Sequence, residues 1–470
     1  MYNRCIVVLA ALCSIFSYSQ EITGDWNAVL NAGGQELPLI FHIQESDTGY
    51  TGTLDSPKQG ATGLEINTIT YIDKTLSLSL TRLGANYTGT LQDNGTIEGT
   101  FSQGGFDLPL NLSRGEAKPI EQNRPQEPKA PFPYKIQEVT FTNDNAGVTL
   151  AGTLTLPKTL FGGKKELPAV ILISGSGPQN RDEELLGHKP FLLIADYLTR
   201  RGIAVLRYDD RGTAASTGDF QGATSADFAT DAQAAFDFLV QHPDINSDKI
   251  GFAGHSEGGL IAPMVAAKNK NVGFIALLAG VGQPGDELLV EQAYLIGKAQ
   301  GMGEDMLRSN RIAATQVFGI VKEHYGDTPK ITSKIREYLT TALAENPDMI
   351  PAGSTADDLI DQQVNTIATD WFQYLIVTDP RPTLKQVTCP VLAINGSLDL
   401  QVPAKQNLGN IERALKESGN NEITIQEIPN LNHLFQTTTT GNPAEYATIE
   451  ETFSPTALKI IGDWIIQTTK

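Results

Sequence analysis

The chain has 470 residues, of which 40% are hydrophobic and 19% are charged, and its formal net charge at pH 7 is −19. This length is too great for a single hydrophobic core and predicts two domains plus an insertion. So negative a chain offers no basic face, which argues against nucleic acids and anionic membranes as partners.

The first residues have the pattern of a secretory signal peptide. A positive charge precedes an apolar run over 5–16, small residues follow it, and cleavage is expected before Gln20. The apolar run is too short to cross a membrane and no later segment is long enough, so no membrane insertion is expected. Residues 1–19 would then be removed, and the protein would be exported to the periplasm or the extracellular space. A lipid anchor on Cys13 is the alternative.

Neither a disulfide, a metal nor a cofactor is expected. Removal of the leader takes away Cys5 and Cys13 and leaves Cys389, which cannot form an internal disulfide. No group of Cys and His residues has the spacing of metal ligands, and no glycine-rich phosphate loop follows a strand in the required way.

Residues 20–114 are predicted to form a small antiparallel all-β domain. Apolar and polar residues alternate there with a period of two, and Gly, Asn and Asp interrupt the runs. The segment Tyr-Thr-Gly-Thr-Leu occurs at 50–54 and again at 87–91, which favours an up-and-down sheet or a small barrel. Residues 115–133 contain five prolines among polar residues and are predicted to be a stiff, solvated linker.

Residues 134–470 are predicted to form an α/β domain. Two strands over 134–156 are followed by apolar strands that alternate with helices up to residue 278. Alternation at these lengths is typical of a mostly parallel sheet with helices on both faces.

A serine stands at a sharp turn within this pattern. The segment Gly254-His-Ser-Glu-Gly258 follows an apolar strand and precedes a helix-forming stretch, which puts Ser256 at the apex of the turn. The flanking glycines are needed because a Cβ there would clash with the neighbouring strand or helix. The serine hydroxyl would be held at the carboxyl edge of the sheet, as a nucleophile requires.

The regular alternation stops at Gly282. The following residues, 283–387, are helical in character and lie between two strands whose carboxyl ends face the same edge as Ser256. The insertion is therefore expected to form a lid over the serine. Its aromatic residues Trp371 and Phe372 are assigned to a substrate pocket, with anchoring of the lid as the alternative for Trp371.

A serine hydroxyl needs a base and an orienting carboxylate, and the last strands supply both. The strand at 391–394 leads to Asp399, and the strand at 423–428 leads to His433. Serine, acid and histidine follow one another in the chain order of α/β-hydrolases. Ser256, Asp399 and His433 are therefore predicted to form a catalytic triad, and a helix cap is the alternative role for the aspartate.

Two backbone N–H groups are expected to form an oxyanion hole. One belongs to Glu257, after the nucleophile, and the other to Ser176, in the glycine-rich loop that follows the strand at 169–173. Gly177 is the competing assignment for the second donor. Five charged residues are expected to form a buried network behind this loop: Arg181, Asp182, Asp209, Asp210 and Arg211.

From about residue 134 to residue 470 the chain resembles a bacterial α/β-hydrolase of the carboxylesterase and serine-aminopeptidase-like group. The stretches that carry the resemblance are 174–183, Tyr208-Asp-Asp-Arg-Gly212, Gly254-His-Ser-Glu-Gly-Gly259, Trp371-Phe372 and Asn395-Gly-Ser-Leu-Asp399. The resemblance implies a Ser-Asp-His hydrolase acting on esters, with peptidases among its members. One departure concerns a loop, where Ala214 and Ala215 precede Ser216 in place of the usual Thr-Gly-x-Ser.

The sequence therefore predicts an exported carboxylesterase whose partner is a small-molecule ester with a small or medium acyl group. A serine exopeptidase is the nearest alternative, and its lid would need acidic residues to hold a substrate amine. A non-catalytic glycan-binding or scaffolding protein that works through the N-terminal sheet is the alternative from another class. The acidic lid residues that an exopeptidase could use for the substrate amine are Glu287, Glu291, Glu304 and Asp305. The sequence does not define the oligomeric state.

Overall fold

The computed structural model describes most of the chain between Ile22 and Lys470. The described ranges are 22–32, 35–46, 49–59, 61–103, 106–115, 123–158, 166–346, 350 and 355–470. The predicted signal peptide, residues 1–19, lies outside them, as does part of the predicted linker, residues 116–122. Within the described ranges, no helix is both long and apolar enough to cross a membrane.

The alternating N-terminal sequence forms antiparallel strands in two sheets. The strands are β1 (Gly24–Ala32), β2 (Gln35–Ser46), β3 (Gly49–Ser56), β4 (Ala61–Ile66), β5 (Thr68–Ile72), β6 (Thr75–Leu80), β7 (Ala85–Leu91), β8 (Ile97–Gln103) and β9 (Phe106–Leu112). One sheet has the order β1-β2-β3-β4 and the other the order β5-β6-β7-β8-β9. Only Asn67 separates β4 from β5. Asn27 and Ser113 exchange two backbone hydrogen bonds of 2.7 and 2.9 Å, which joins the first strand to the last. The meander thus closes on itself.

The interior of this meander is filled by large side chains. Trp26, Phe41 and Tyr87 are fully buried there. A Cβ on Gly89 would lie 2.3 Å from the Tyr87 hydroxyl oxygen, and one on Gly99 would lie 2.6 Å from it. In the second copy of the Tyr-Thr-Gly-Thr-Leu segment, glycine is therefore required because the tyrosine ring occupies the space.

The second region is built on one sheet of eight strands. The strands are β10 (Tyr134–Asn143), β11 (Val148–Pro157), β12 (Leu167–Ile173), β13 (Ala204–Tyr208), β14 (Ile245–His255), β15 (Phe274–Leu278), β16 (Val391–Gly396) and β17 (Ile423–Ile428). Their spatial order is β10-β11-β13-β12-β14-β15-β16-β17. The pairs β10–β11 and β11–β13 are antiparallel, and the remaining pairs are parallel. The carboxyl ends of the parallel strands therefore meet at one edge.

Helices cover both faces of this sheet. They are α1 (Pro190–Arg200), α2 (Ser225–Val240), α3 (Gly258–Lys268), α10 (Ala404–Glu417) and α11 (Pro455–Thr468). In β12, Ile171 packs in the core that contains α2, α3 and α10, whereas Val170 and Leu172 pack in the core with α1 and α11. The continuous apolar run of β12 follows from this double burial.

The insertion between β15 and β16 is helical, as expected. Its helices are α4 (Gly285–Ala299), α5 (Glu304–His324), α6 (Thr328–Glu345), α7 (Ala356–Ile367), α8 (Asp370–Val377) and α9 (Arg381–Leu384). They enclose a core of their own, which includes the fully buried Val321, Ile331 and Ile335. A Cβ on Gly285 would lie 1.8 Å from the carbonyl oxygen of Leu375, so the start of α4 packs directly on α8.

The described end of the predicted linker is exposed or half-exposed, and two of its side chains bind the second region. The Arg124 guanidinium donates hydrogen bonds to the carbonyl oxygens of Leu186 and Ala447, both at 2.8 Å, and of Ile449 at 3.1 Å. Gln126 accepts hydrogen bonds from the backbone of Thr452 and Phe453. Proline content indicates a stiff segment, but it carries no information about which carbonyl groups the neighbouring polar side chains will reach.

The N-terminal strands also share a core with the second region. Leu186, Leu434, Tyr446 and Ala447 belong to the same hydrophobic cluster as the buried residues of the meander. Leu434 directly follows the predicted catalytic histidine. The two regions are therefore packed against each other beside the predicted site.

We expect Arg124→Ala to lower the free energy of unfolding by about 2 kcal/mol, because three partly buried hydrogen bonds from a charged donor are lost. Arg413→Ala is the matched control, since Arg413 is exposed and makes one long hydrogen bond, of 3.4 Å, to Asn410. Thermal denaturation of both variants measures the difference. Equal melting temperatures would show that the linker contacts are not structural.

Candidate active site

Ser256 occupies a strained turn between β14 and α3. Its φ angle is +52°, in the left-handed region that non-glycine residues rarely adopt, and its N–H donates to the carbonyl oxygen of Leu278 at 2.8 Å. Such strain persists only where the surroundings fix the conformation, and it is concentrated at functional sites. The side chain is partly exposed at the carboxyl edge of the sheet.

The two glycines of the turn are fixed by close backbone contacts. A Cβ on Gly254 would lie 2.0 Å from the Gly258 carbonyl oxygen, and one on Gly258 would lie 2.1 Å from the Ile173 carbonyl oxygen. Real Cβ atoms do not approach backbone so closely, so no other residue fits either position. The predicted reason for these glycines agrees with the geometry.

Asp399 and His433 form a buried pair after β16 and β17. Asp399 Oδ2 lies 2.8 Å from His433 Nδ1, and the two side chains are 0% and 5% exposed. The other carboxylate oxygen accepts the backbone N–H groups of Gln401 and Val402, each at 2.8 Å. The aspartate therefore fixes its own loop and the imidazole at the same time.

Asn432 shapes the loop that presents His433. Its side-chain oxygen accepts the N–H groups of Leu434 at 3.0 Å and Gln436 at 2.9 Å, and the residue is fully buried. A Cβ on Gly396 would lie 2.2 Å from the Leu431 carbonyl oxygen, so the end of β16 must be glycine for this loop to pass. The sequence predicts no role for either residue: Gly396 lies in the Asn395–Asp399 stretch, where only Asp399 is assigned a function, and Asn432 lies outside the motifs.

His255 connects three parts of the site. Its Nδ1 lies 2.9 Å from Glu183 Oε1, and its Nε2 lies 3.0 Å from the carbonyl oxygen of His433. The same Glu183 oxygen accepts the N–H of Gly175 at 2.6 Å. Burial lowers the pKa of His255, but the charge and hydrogen bond of Glu183, with smaller help from the His433 carbonyl and Asp399, raise it overall. The only sequence signal for Glu183 is its place in the stretch 174–183.

The loop after β12 presents a free backbone donor to the site. The N–H of Gly175 is occupied by Glu183. In the described part of the chain, the N–H groups of Ser176 and Glu257 have no hydrogen-bond acceptor, and both residues line the same cavity. Gly177 does not line that cavity.

A network of charges supports this loop from behind. Asp210 accepts hydrogen bonds from Ser174 Oγ at 2.8 Å and from the Gln179 N–H at 3.0 Å. Burial holds the pKa of Asp210 well above its usual value. Arg181 pairs with Asp209 at 2.8 Å, Arg211 pairs with Asp231 at 2.6 Å, and Arg207 pairs with Asp182. The expected network thus includes two residues, Arg207 and Asp231, that the sequence analysis did not name.

The loop that departs from the family pattern is nevertheless tied down. Ser216 Oγ donates to the Asp209 carbonyl oxygen at 2.8 Å, and the Ala215 N–H donates to the Asp209 carboxylate at 3.2 Å. Ala214 takes a positive φ of +48°. The loop is therefore held to Asp209 by the Ser216 hydroxyl and the Ala215 N–H.

Ser256, His433 and the lid enclose a cavity of about 290 Å³. Trp371 and Phe372 of helix α8 line it, as predicted for the substrate pocket. Further apolar lining comes from Val281, Leu288, Leu289, Leu375, Val402 and Leu434. Polar lining includes Gln179, Gln292 and Gln401. The lid thus covers the serine, and the cavity has a mainly apolar lining that also includes Glu183 and Glu257.

The side chain of Glu257 is buried behind the cavity. Its Oε1 accepts hydrogen bonds from Trp371 Nε1 at 2.9 Å and Ser225 Oγ at 2.6 Å. Burial raises its pKa, although hydrogen bonds from Ser225, Trp371 and Ser176 lower it in part. Trp371 therefore lines the pocket and also anchors the lid, so the two interpretations of this residue are not exclusive.

The order of the sheet and the placement of the three side chains define an α/β-hydrolase. The serine follows the central strand β14, and the aspartate and histidine follow the last two strands, all at one edge. Residues 146–428, more than half of the chain, match the X-Pro dipeptidyl-peptidase (S15) family, and the chain belongs to this family.

Individual relatives support the same grouping. Esterase EstD of Thermotoga maritima is 29% identical over 286 residues, covering 61% of this chain and 58% of EstD. An uncharacterized protein of Pseudomonas aeruginosa is 33% identical over 145 residues, covering 30% of this chain and 36% of that protein. The chain thus spans between about a third and just over half of the length of these relatives.

Solved structures with similar folds share little sequence. A Pseudomonas aeruginosa structure has a TM-score of 0.43 and 16% identity, covering 76% of this chain and 100% of that chain. An esterase of Pyrococcus furiosus has a TM-score of 0.42 and 14% identity, covering 74% and 98%.

We expect Gly258→Ala to destabilise the protein by about 3 kcal/mol or more, because the new methyl group would meet the Ile173 carbonyl group at 2.1 Å. Gly409→Ala is the control, since a Cβ on Gly409 in α10 would meet nothing within 4 Å. The control should be stabilised by about 0.5–1 kcal/mol, as expected for alanine in a helix. Melting temperatures and soluble yield measure both effects; a folded Gly258→Ala variant with the wild-type melting temperature would contradict the crowding argument.

Proposed function

We propose that this protein is an exported serine carboxylesterase that hydrolyses small or medium acyl esters. The observation that carries the proposal is the covered cavity in which Ser256 lies with the buried His433–Asp399 pair. Membership of a hydrolase family and similarity to an esterase support it. Export is supported by the sequence of residues 1–19 alone.

In the proposed reaction, Ser256 Oγ attacks the ester carbonyl carbon. His433 takes the hydroxyl proton through Nε2, because Nδ1 faces Asp399. The imidazolium that forms is stabilised by the aspartate and then protonates the departing alkoxide. Water then attacks the acyl-enzyme: His433 takes a proton from the water and returns it to Ser256 Oγ as the carboxylic acid is released.

The developing oxyanion would be bound by the N–H groups of Ser176 and Glu257. Both groups line the cavity without an internal acceptor among the described residues, so they need not break a bond to bind substrate. Such preorganised donors contribute more than donors that must reorient. The occupied N–H of Gly175 and the position of Gly177 outside the cavity favour Ser176 as the second donor.

The charge of the cavity favours esters over the exopeptidase alternative. A free substrate amine needs a carboxylate partner, but the two carboxylates that line the cavity are already engaged. Glu183 is bonded to His255 and to the Gly175 N–H, and Glu257 to Trp371 and Ser225. The acidic lid residues named above do not line the cavity.

Neutral amide groups add to the polar part of the lining. Within the described part of the chain, the side-chain amides of Gln179, Gln292 and Gln401 donate only long hydrogen bonds, of 3.3–3.4 Å, to the Ser176 carbonyl oxygen, Gln401 Oε1 and the Tyr446 hydroxyl respectively. Bonds of this length are weak, so the carboxamides keep capacity for a ligand. This lining suits an uncharged ester.

We expect Ser256→Ala to reduce kcat on p-nitrophenyl butyrate to below about a thousandth of wild type, because loss of a nucleophile removes the acyl-enzyme route. The melting temperature should stay close to wild type, and labelling by a fluorophosphonate should be lost. Residual turnover well above that limit, or a label on another residue, would assign the chemistry elsewhere.

A matched pair of anilides distinguishes the esterase from the exopeptidase. Wild type should hydrolyse p-nitrophenyl esters and should not prefer Gly-Pro-p-nitroanilide to its N-acetyl form. A strong preference for the free amine would favour the dipeptidyl-peptidase activity after which the family is named. Hydrolysis of aryl esters, together with equal rates for the free and the N-acetylated anilide, supports a cavity without a carboxylate free to bind an amine.

We expect the exported chain to begin at or near Gln20, because cleavage by a signal peptidase would follow the small residues before it. Intact-mass measurement of protein recovered outside the cytoplasm tests this directly. A mass that retains residues 1–19, or one that shows a lipid on Cys13, would contradict the proposed processing.

A further inference from the structure

One buried acidic group beside the nucleophile takes no part in the proposed chemistry. Glu257 directly follows Ser256, and only 4% of the residue is exposed. The residue lines the cavity, and its carboxylate accepts a hydrogen bond from Ser225 Oγ. A buried carboxylate is costly unless it is well bonded, so its partners show what it holds in place.

The partners of Glu257 come from separate parts of the fold. Trp371 Nε1 belongs to lid helix α8 and donates at 2.9 Å, and Ser225 Oγ begins α2 and donates at 2.6 Å. A hydrogen bond from the side chain of Ser176, in the loop after β12, helps to keep the pKa of Glu257 from rising further. The lid, the body of the sheet and the oxyanion loop therefore meet at one carboxylate.

Trp371 is well placed to transmit movement of the lid. Its ring contacts the Phe372 ring at a centroid distance of 5.8 Å, and Phe372 contacts Phe318 of α5 at 6.3 Å. Phe318 lies in the core of the lid. On its other side, Trp371 packs against the core under the sheet. A shift of α8 would thus change the bond between Trp371 and Glu257.

We propose that Glu257 is a positioning residue that couples the seating of lid helix α8 to the alignment of the oxyanion N–H groups of Ser176 and Glu257. The inference rests on the proposed hydrolase function. With Trp371 bonded, the carboxylate is held on two sides, and the backbone of Glu257 is held with it. Without that bond, the buried carboxylate keeps only its hydrogen bonds from Ser225 and Ser176 and shifts toward them. This shift moves the backbone N–H of Glu257 and the loop that carries Ser176.

This coupling has a distinct kinetic consequence. Oxyanion donors act on the transition state and contribute little to ground-state binding, so misalignment lowers kcat and leaves KM nearly unchanged. Loss of pocket lining would instead raise KM. The two effects are separable with two variants. Trp371→Phe removes the N–H and keeps a smaller aromatic ring in the pocket, whereas Glu257→Gln leaves Trp371 in place as pocket lining.

The test uses Trp371→Phe, Glu257→Gln and the double variant in the full-length protein. We expect each single variant to lower kcat on p-nitrophenyl acetate by roughly ten-fold, with KM within about two-fold of wild type, because small misplacements of catalytic donors have effects of this order or larger. The inhibition constant of an aryl trifluoromethyl ketone, whose adduct with serine carries an oxyanion, should rise in parallel. The double variant should be no slower than the slower single variant, because Glu257→Gln weakens and Trp371→Phe removes the same bond.

Trp464→Phe is the matched control, since Trp464 donates its N–H to Thr424 Oγ1 at 3.2 Å on the far strand β17. It should keep wild-type kcat. A Trp371→Phe variant with wild-type kcat would overturn the coupling, and so would one in which only the melting temperature or KM changes. A kcat of the double variant that falls by the product of the two single effects would also overturn it. If Glu257→Gln fails to fold, the comparison of Trp371→Phe with Trp464→Phe decides alone. Absence of ester hydrolysis by wild type would instead contradict the proposed function.

Discussion

The site depends on the close approach of three pieces of backbone around Ser256. The end of β14, the start of α3 and the end of β12 touch through Gly254, Gly258 and the Ile173 carbonyl group, with no room for a side chain. This contact forces Ser256 into its left-handed conformation. It also brings the loop after β12 next to Ser256, because that loop begins directly after Ile173. The proposed nucleophile and the proposed oxyanion donors are thus positioned by one packing constraint.

Hydrogen bonds between buried polar groups hold the loops around Ser256 in place. Glu183 links His255 to the Gly175 N–H, and His255 in turn holds the carbonyl oxygen of His433. Asp399 holds the imidazole and its own loop. Each of these groups would be destabilising if left unpaired in the interior, so the network has one satisfied arrangement and resists reorganisation. Such rigidity suits a site that must present aligned donors before substrate arrives.

The lid covers the site, and the N-terminal strands pack beside it. Trp371 ties the lid to the turn through Glu257, and Arg124 ties the end of the linker to the loop that carries Ala447. Leu434, beside the proposed catalytic histidine, packs in the same core as the N-terminal strands. The described linker residues are exposed or half-exposed, and composition did not predict that Arg124 and Gln126 would bind the second region, because it carries no information on which distant groups a side chain meets.

The sequence by itself determined the α/β sheet, the β-rich N-terminal region, the helical insertion and the candidate residues Ser256, Asp399 and His433. These follow from local patterns: apolar periodicity, glycines about a serine, and polar residues placed after strands in a fixed order. Only the tertiary structure decided the roles of Glu183, Asn432 and the side chain of Glu257, and the attachment of the linker. Those roles depend on partners dozens to hundreds of residues away, and a hydrogen bond between such groups leaves no periodic trace in the chain.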